Sequence, residues 1–271
     1  MLKTVINNRI ERMEPVSLKD LSRVSLLSRT DTKYVGSLDQ LVLLLQSVSD
    51  DYYVLSHQGI RNFSYETTYM DTPDFKLYTA HQNGRTNRYK IRTREYRDSG
   101  LVFDEIKFKN NKGTTVKKRI NREAKDAPLD KEFLDFINLD KSLEAFSDQL
   151  VPMLDVSYRR ITFVNKDFTE RITLDFNLRF NHESKNDILG NLFIMEIKRN
   201  HGSEKSIMEN ALRTHKIMQT GISKYCVGIA STREDVKINR FKPLIRKLEK
   251  INYISRVEEV QPCPTFMEYS A

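Results

Sequence analysis

Between residues 87 and 100 the chain reads NRYKIRTREYRDSG, with Arg88, Lys90, Arg92 and Arg94 at every second position and Tyr89, Ile91 and Thr93 between them. A strand sends successive side chains to opposite faces, so this spacing puts four cations on one face. Cations two positions apart on a strand lie about 7 Å from one another. At an effective dielectric near 20 each such pair repels by roughly 2 kcal/mol. A fold that keeps this strand needs water or an anion opposite it.

The pattern recurs. VFDEIKFKN puts Glu105, Lys107 and Lys109 on one face against Ile106 and Phe108, and TVKKRI aligns Lys117 with Arg119. SYRRITFV sets Arg160 between Tyr158 and Thr162, opposite Ile161 and Phe163. RITLDFNL aligns Arg171, Thr173, Asp175 and Asn177 against Ile172, Leu174, Phe176 and Leu178. FIMEIKRN pairs Glu196 with Lys198, and RTDTKY aligns Arg29, Asp31 and Lys33. Strands are expected near 29–35, 63–70, 87–97, 101–109, 115–121, 156–165, 169–180, 192–199 and 223–229, with hairpin turns at RDSG and NKDF.

Helices punctuate them. Ser37 with Gln40 and Ser17 with Asp20 read as capping boxes. Thr72-Pro73 reads as a cap and first-turn proline, residues 203–219 as a helix capped by Ser203, and 129–150 as two short helices. The basic tail 240–250 reads as a helix laid on the barrel. Sequential strands of similar length imply an α+β fold, mainly β: an antiparallel eight-stranded-type barrel with helices packed outside. One domain over 1–271 is expected, with its core at about 20–230 and a C-terminal helical extension.

Two arrangements satisfy these faces. Either the apolar faces form the core and the cations are solvated, or helices cover the apolar faces from outside and the charged faces line a tunnel. The second would gather Lys33, Lys90, Arg92, Arg94, Lys107, Lys109, Lys117, Arg119, Arg160, Arg171 and Lys198 around Asp31, Glu105, Asp175 and Glu196. That excess calls for a polyanion. The net charge of +8 suits nucleic acid, a phosphorylated ligand or plain solubility, and chooses none of them. No apolar run is long enough to span a membrane and the N-terminus lacks a secretory signal, so a cytoplasmic protein is expected. Two distant cysteines, Cys226 and Cys263, give neither a disulfide framework nor a metal spacing. No P-loop or H-E-x-x-H motif occurs, and His81 and His215 read as structural.

The ordered series RTDTKY, YETTYMDTPDFKLYTAHQNGRTNRYKIRTREYRDSG, DEIKFKNNKGTTVKKRI, YRRITF, RITLDFNLRF, MEIK and GISKYCVGI resembles the VTC domain, the catalytic polyphosphate polymerase domain of the vacuolar transporter chaperone complex. That family belongs to the CYTH-like triphosphate tunnel metalloenzymes, so the resemblance implies the tunnel. Where the wider superfamily has E-x-E-x-K, this chain has Arg29-x-Asp31-x-Lys33, which leans away from a two-metal triphosphatase.

The resemblance further implies that Lys33, Arg92, Arg94, Arg160, Arg171 and Lys224 act at the reacting phosphates. Lys90, Lys107, Lys109, Lys117, Arg119 and Lys198 would bind the substrate chain, and Glu196 with Glu105 would hold Mn²⁺ or Mg²⁺. The expected partners are ATP and inorganic polyphosphate, with neither nucleic acid nor a membrane. A tripolyphosphate or nucleoside triphosphate hydrolase of the same fold is an alternative, as is a non-catalytic polyphosphate or RNA binder that stacks bases on Tyr89 and Tyr96. The expectation against the binder is that both tyrosines lie opposite the main cation row.

Overall fold

The alternating runs form strands in the computed structural model, which describes residues 2–24, 29–127, 129–182, 185–200 and 206–258. In chain order they are β1 (Pro15–Val16), β2 (Arg29–Ser37), β3 (Tyr52–Leu55), β4 (Phe63–Asp71), β5 (Arg88–Tyr96), β6 (Leu101–Lys109), β7 (Thr115–Arg122), β8 (Val151–Asn165), β9 (Glu170–His182) and β10 (Lys185–Asn200). The helices are α1 (Leu2–Arg12), α2 (Leu18–Leu21), α3 (Leu38–Val48), α4 (Lys76–Gln82), α5 (Lys131–Asn138), α6 (Lys141–Glu144), α7 (Ile207–Thr214), α8 (Lys224–Thr232) and α9 (Lys242–Glu258).

Eight strands form one antiparallel path, β2-β10-β9-β8-β4-β5-β6-β7, with β3 joined to β8 and β1 running parallel to β3. The path curls so that all eight contribute side chains to one central cavity. Among the described residues β2 and β7, its two ends, share no ladder, so the barrel is open along one seam.

The outer face explains why the charged face turns inward. Leu41, Leu44 and Leu45 of α3 pack with Ile161, Phe163, Ile172, Leu174 and Met195, all essentially inaccessible. On the far side Phe133, Phe136 and Ile137 of α5 cover Ile91 and Ile106. With helices holding the apolar stripes, the opposite faces have only the hollow. Ser37 caps α3 and Ser17 caps α2 through the expected boxes with Gln40 and Asp20.

The interior is not charged along its whole length. Asn177 adopts a left-handed conformation (φ 55°) at a register shift between β8 and β9. One extra residue there reverses the alternation, so Leu178 joins Phe180, Leu154 and Val156 in a cluster with Tyr225, Cys226 and Ile229 of α8. The alternation had placed Leu178 with the outward-facing Phe176; the bulge corrects that. At Gly228 a Cβ would come within 2.4 Å of Leu154 and 2.7 Å of Phe180, so helix and strands meet almost backbone to side chain.

Other local expectations change as well. Residues 223–229, expected as a strand, begin α8 behind the cap Ser223. Seven of its nine residues are buried, which removes the one-sided periodicity that marks a surface helix. The helix expected from Ser203 starts at Ile207 and is capped by Ser206, while Ser203 lies outside the described residues. Pro73 is not the first residue of α4. The chain turns through Phe75 at φ 57° and the helix starts at Lys76, whose N–H donates to Thr72 Oγ1. The buried Asp71 carboxylate accepts the N–H groups of Leu77 and Tyr78, each at 2.8 Å, and the Tyr225 hydroxyl. It ties the first turns of α4 and α8 together.

Candidate functional site

A cavity of about 590 Å³ runs through the cationic half of the barrel. Eleven lysine and arginine side chains line it: Lys33, Lys90, Arg92, Arg94, Lys107, Lys117, Arg119, Arg160, Arg171, Lys198 and Lys224. Asp175 and Glu196 are the carboxylates on the same wall. Of the cations expected at the site only Lys109 lies elsewhere. It lines an adjoining cavity of about 410 Å³, which shares Lys33, Lys90, Lys107 and Glu196 and adds Arg88 and Arg240 at its mouth.

Three of the acids expected at the site, Glu105, Asp175 and Glu196, are each claimed by cations. Glu105, only 1% exposed, receives Arg92 at 2.6 and 2.7 Å and Lys117, with Arg94 at 4.0 Å. Burial alone would raise its pKa, but Arg92, Arg94 and Lys117 outweigh it and hold the group at about 2. Asp175 takes a two-pronged contact from Arg160 at 2.5 and 2.7 Å and a bond from Lys224. Those cations likewise depress its pKa against burial. Glu196 pairs with Lys198 at 2.9 Å, and the same ammonium reaches Asp31 at 3.6 Å. Its pKa is depressed too, by Lys198 and Lys33 working against burial.

Three lysines stand in a different state. Burial lowers the pKa of Lys33, whose ammonium donates to the Ile222 carbonyl at 3.1 Å. Burial, reinforced by neighbouring cations, brings Lys90 and Lys107 down to about 8. Glu196 partly offsets burial at Lys33 and Lys107, but one carboxylate shared among crowded cations does not balance them, the arrangement an absent anion would relieve.

The uncharged lining had no signal in the cation alternation. Tyr65, Thr67 and Tyr69 of β4 pair in register with Tyr96, Arg94 and Arg92. Arg160 lies 5.0 Å from the Tyr65 ring and 5.4 Å from that of Tyr158, and Lys224 lies 4.6 Å above Tyr158. Arg92 also reaches the Tyr69 hydroxyl at 3.4 Å. Tyr69 is buried, which raises a phenol, yet Arg92, Arg94 and Lys224 pull its pKa below the ordinary value. Tyr96 shares the cation face and lines the cavity, contrary to expectation; Tyr89 does lie opposite, bonded through its hydroxyl to Asp140. His215 lines neither cavity, whereas His81 lines the adjoining one; burial and Lys90 lower His81 to about 3.

A family model for the VTC domain matches residues 28–233, spanning every strand from β2 onward. The chain belongs to the VTC domain family. The match takes in every cation of the cavity. No curated protein matches the chain. Among solved structures, a protein from Hippeastrum described as having a dominant triphosphatase activity is 13% identical, covering 76% of this chain and 97% of its own, with a TM-score of 0.47. A protein from Bacillus halodurans provisionally called an adenylate cyclase is 16% identical over 79% of this chain and 97% of its own, at a TM-score of 0.46. A similarly named protein from Vibrio parahaemolyticus is 15% identical over 73% and 95%, at 0.41. No helix among the described residues is long and apolar enough to cross a membrane.

Proposed function

We propose that this VTC-domain protein transfers the γ-phosphoryl group of ATP to the end of an inorganic polyphosphate chain, releasing ADP. The observation that carries the reading is the cavity itself: eleven cations enclosed by the barrel with carboxylates enough to pair only some of them. A chain of phosphates supplies one negative charge per unit at regular spacing, which matches rows of lysine and arginine on neighbouring strands.

In the reaction a terminal phosphate oxygen of the acceptor attacks the γ-phosphorus. The new P–O bond forms as the β–γ bridge breaks, and the bridging electron pair leaves with ADP. An ionised phosphate needs no general base, so the protein's part is alignment and charge neutralisation. Arg160 and Lys224, held by Asp175, and Arg92, held by Glu105, are fixed before substrate arrives. Arginine forks suit bidentate phosphate contacts, whereas Lys90 and Lys107 serve as point charges along the track.

A divalent cation fits one part of this wall. Among the described residues no three acidic, histidine or cysteine side chains converge. Glu196 and Asp31, bridged by Lys198 on paired strands, offer two carboxylates. Mg²⁺ or Mn²⁺ takes one or two carboxylates and completes its shell with phosphate and water oxygens. When bound it would neutralise charge developing on the transferred group. Glu105 fits this role poorly, because Arg92 and Lys117 already occupy its oxygens; we assign it to holding those cations.

Incubation with ATP and Mn²⁺, followed by assay of ADP and polymer, tests the reading. ADP and long chains are expected, with both lost in Glu196→Gln. Orthophosphate without polymer would instead establish the hydrolase, and neither product across several metals and primers would overturn the enzymatic reading.

A further inference from the structure

Arg92 gives its carboxylate only part of its guanidinium. Nε and Nη2 bond Glu105 at 2.7 and 2.6 Å, and Nη1 reaches the Tyr69 hydroxyl at 3.4 Å. That contact is longer than the roughly 2.7–3.2 Å of an ordinary N–H···O bond, so it holds the phenol loosely. The guanidinium donates and the phenol oxygen accepts, which leaves the phenol's own hydrogen to be placed. Among the described residues no carboxylate or carbonyl takes it. Tyr69 is 4% exposed and lines the central cavity, so the hydrogen is available to a ligand in the hollow.

The ring is fixed from behind. Tyr225 of α8 stacks on it, with 5.1 Å between centroids and 27° between planes. The Tyr225 hydroxyl is bonded to Asp71, whose carboxylate is anchored on the first turn of α4. Tyr69 lies directly opposite Arg92 in the strand register, and Tyr225 follows Lys224 in the chain. The phenol therefore joins the cations held by Glu105 to those held by Asp175. Burial would raise its pKa, but Arg92, Arg94 and Lys224 outweigh it. A phenol so acidified is a stronger hydrogen donor.

A neutral donor at this point does something the cations do not. Coulomb attraction falls off gradually with distance and reaches every phosphate of a chain. Rows of lysine and arginine thus hold a polyanion without choosing which phosphate lies where. A hydroxyl bonds one oxygen over a short, directional range. We infer that Tyr69 is a catalytic residue: its hydroxyl donates to a non-bridging oxygen of the phosphoryl group being transferred, and so sets which phosphate lies between Arg92 and Lys224. The proton stays on the phenol, and no covalent bond to Tyr69 forms or breaks. This deepens the phosphotransferase reading and rests on it. Charge on the equatorial oxygens of the transition state is where a fixed donor counts most.

Tyr69→Phe removes the hydroxyl and keeps the ring against Tyr225. Turnover is scored as ADP release, whether the acceptor is a polymer end or water. kcat is expected to fall about 30-fold, the size of one hydrogen bond to a charged group. KM, and the affinity for tripolyphosphate by calorimetry without metal, should stay within about threefold, because the cations still hold the chain. A second readout needs no turnover. Tyrosinate absorbance against pH should reveal one tyrosine whose ionisation tripolyphosphate displaces to higher pH, and Tyr69→Phe should lack it. A merely structural role would weaken tripolyphosphate binding along with kcat, and that result would overturn the inference. So would an unchanged kcat, or a tyrosine titration indifferent to tripolyphosphate. Should the variant fail to fold by circular dichroism, the wild-type titration with and without tripolyphosphate decides alone. A wild type that releases no ADP would overturn the proposed reaction and with it the catalytic role, whereas the titration separately reports whether the hydroxyl meets phosphate.

Discussion

The crowded, buried lysines of the cavity make a quantitative prediction about pH. Burial brings Lys90 and Lys107 from the ordinary 10.5 to about 8, and Lys33 moves the same way. At pH 8 Lys90 and Lys107 are each about half charged in the empty protein. A bound polyanion restores their charge, so binding tripolyphosphate at pH 8 should take up about one proton for the two together. Affinity should fall about tenfold per lysine between pH 7 and 9. The stability of the empty protein has the opposite sign. A lysine whose pKa is lower folded than unfolded costs stability wherever it is charged in both states. The cost is complete below about pH 8 and fades as pH approaches 10.5. It amounts to about 3 kcal/mol per lysine. Calorimetry at pH 8 in buffers of different ionisation enthalpy counts the protons directly. No proton uptake at pH 8, or uptake unchanged in Lys90→Met/Lys107→Met, would refute the argument that these ammonium groups are crowded and desolvated in the hollow.

Two further predictions concern the scaffold. Glu105→Gln leaves Arg92 and Lys117 facing one another over a neutral amide, and removing one partner of a buried pair costs about 3–5 kcal/mol. The melting temperature should drop and should recover partly on adding tripolyphosphate; an unchanged melt would show that these cations are solvated. Gly228→Ala drives a methyl into Leu154 and Phe180. A loss of about 1–3 kcal/mol is expected in chemical denaturation, with weaker phosphate binding because α8 carries Lys224.

Much of the site could be read from the residues because charge on a strand is visible at a spacing of two. The rows on β5, β6, β8 and β9 converge as the alternation implies, as far as Asp175. What lay hidden has physical causes. The bulge at Asn177 inverts a face without altering the pattern of residue types. The start of α8, SKYCVGI, is apolar on all sides because the barrel swallows it, and a short apolar run reads equally as strand or helix. Tyr65 and Tyr69 carry no charge, so the aromatic part of the lining was silent beside its cationic neighbours. Tyr96 falls on the same parity as Arg94 and was legible in principle. Four-residue β3 is too short to show periodicity.

The pairing of β2 with β10 sets Lys33 against Glu196 and Asp31 against Lys198, joining strands from opposite regions of the sequence. During synthesis the basic hairpin of β5 and β6 leaves the ribosome long before β10 exists to close the groove. A nascent chain therefore carries these cations on an unfinished sheet, with no enclosed channel in which a polyanion can settle. Late, long-range strand docking is slow, and the capacity to grip phosphate should arrive with it in one step.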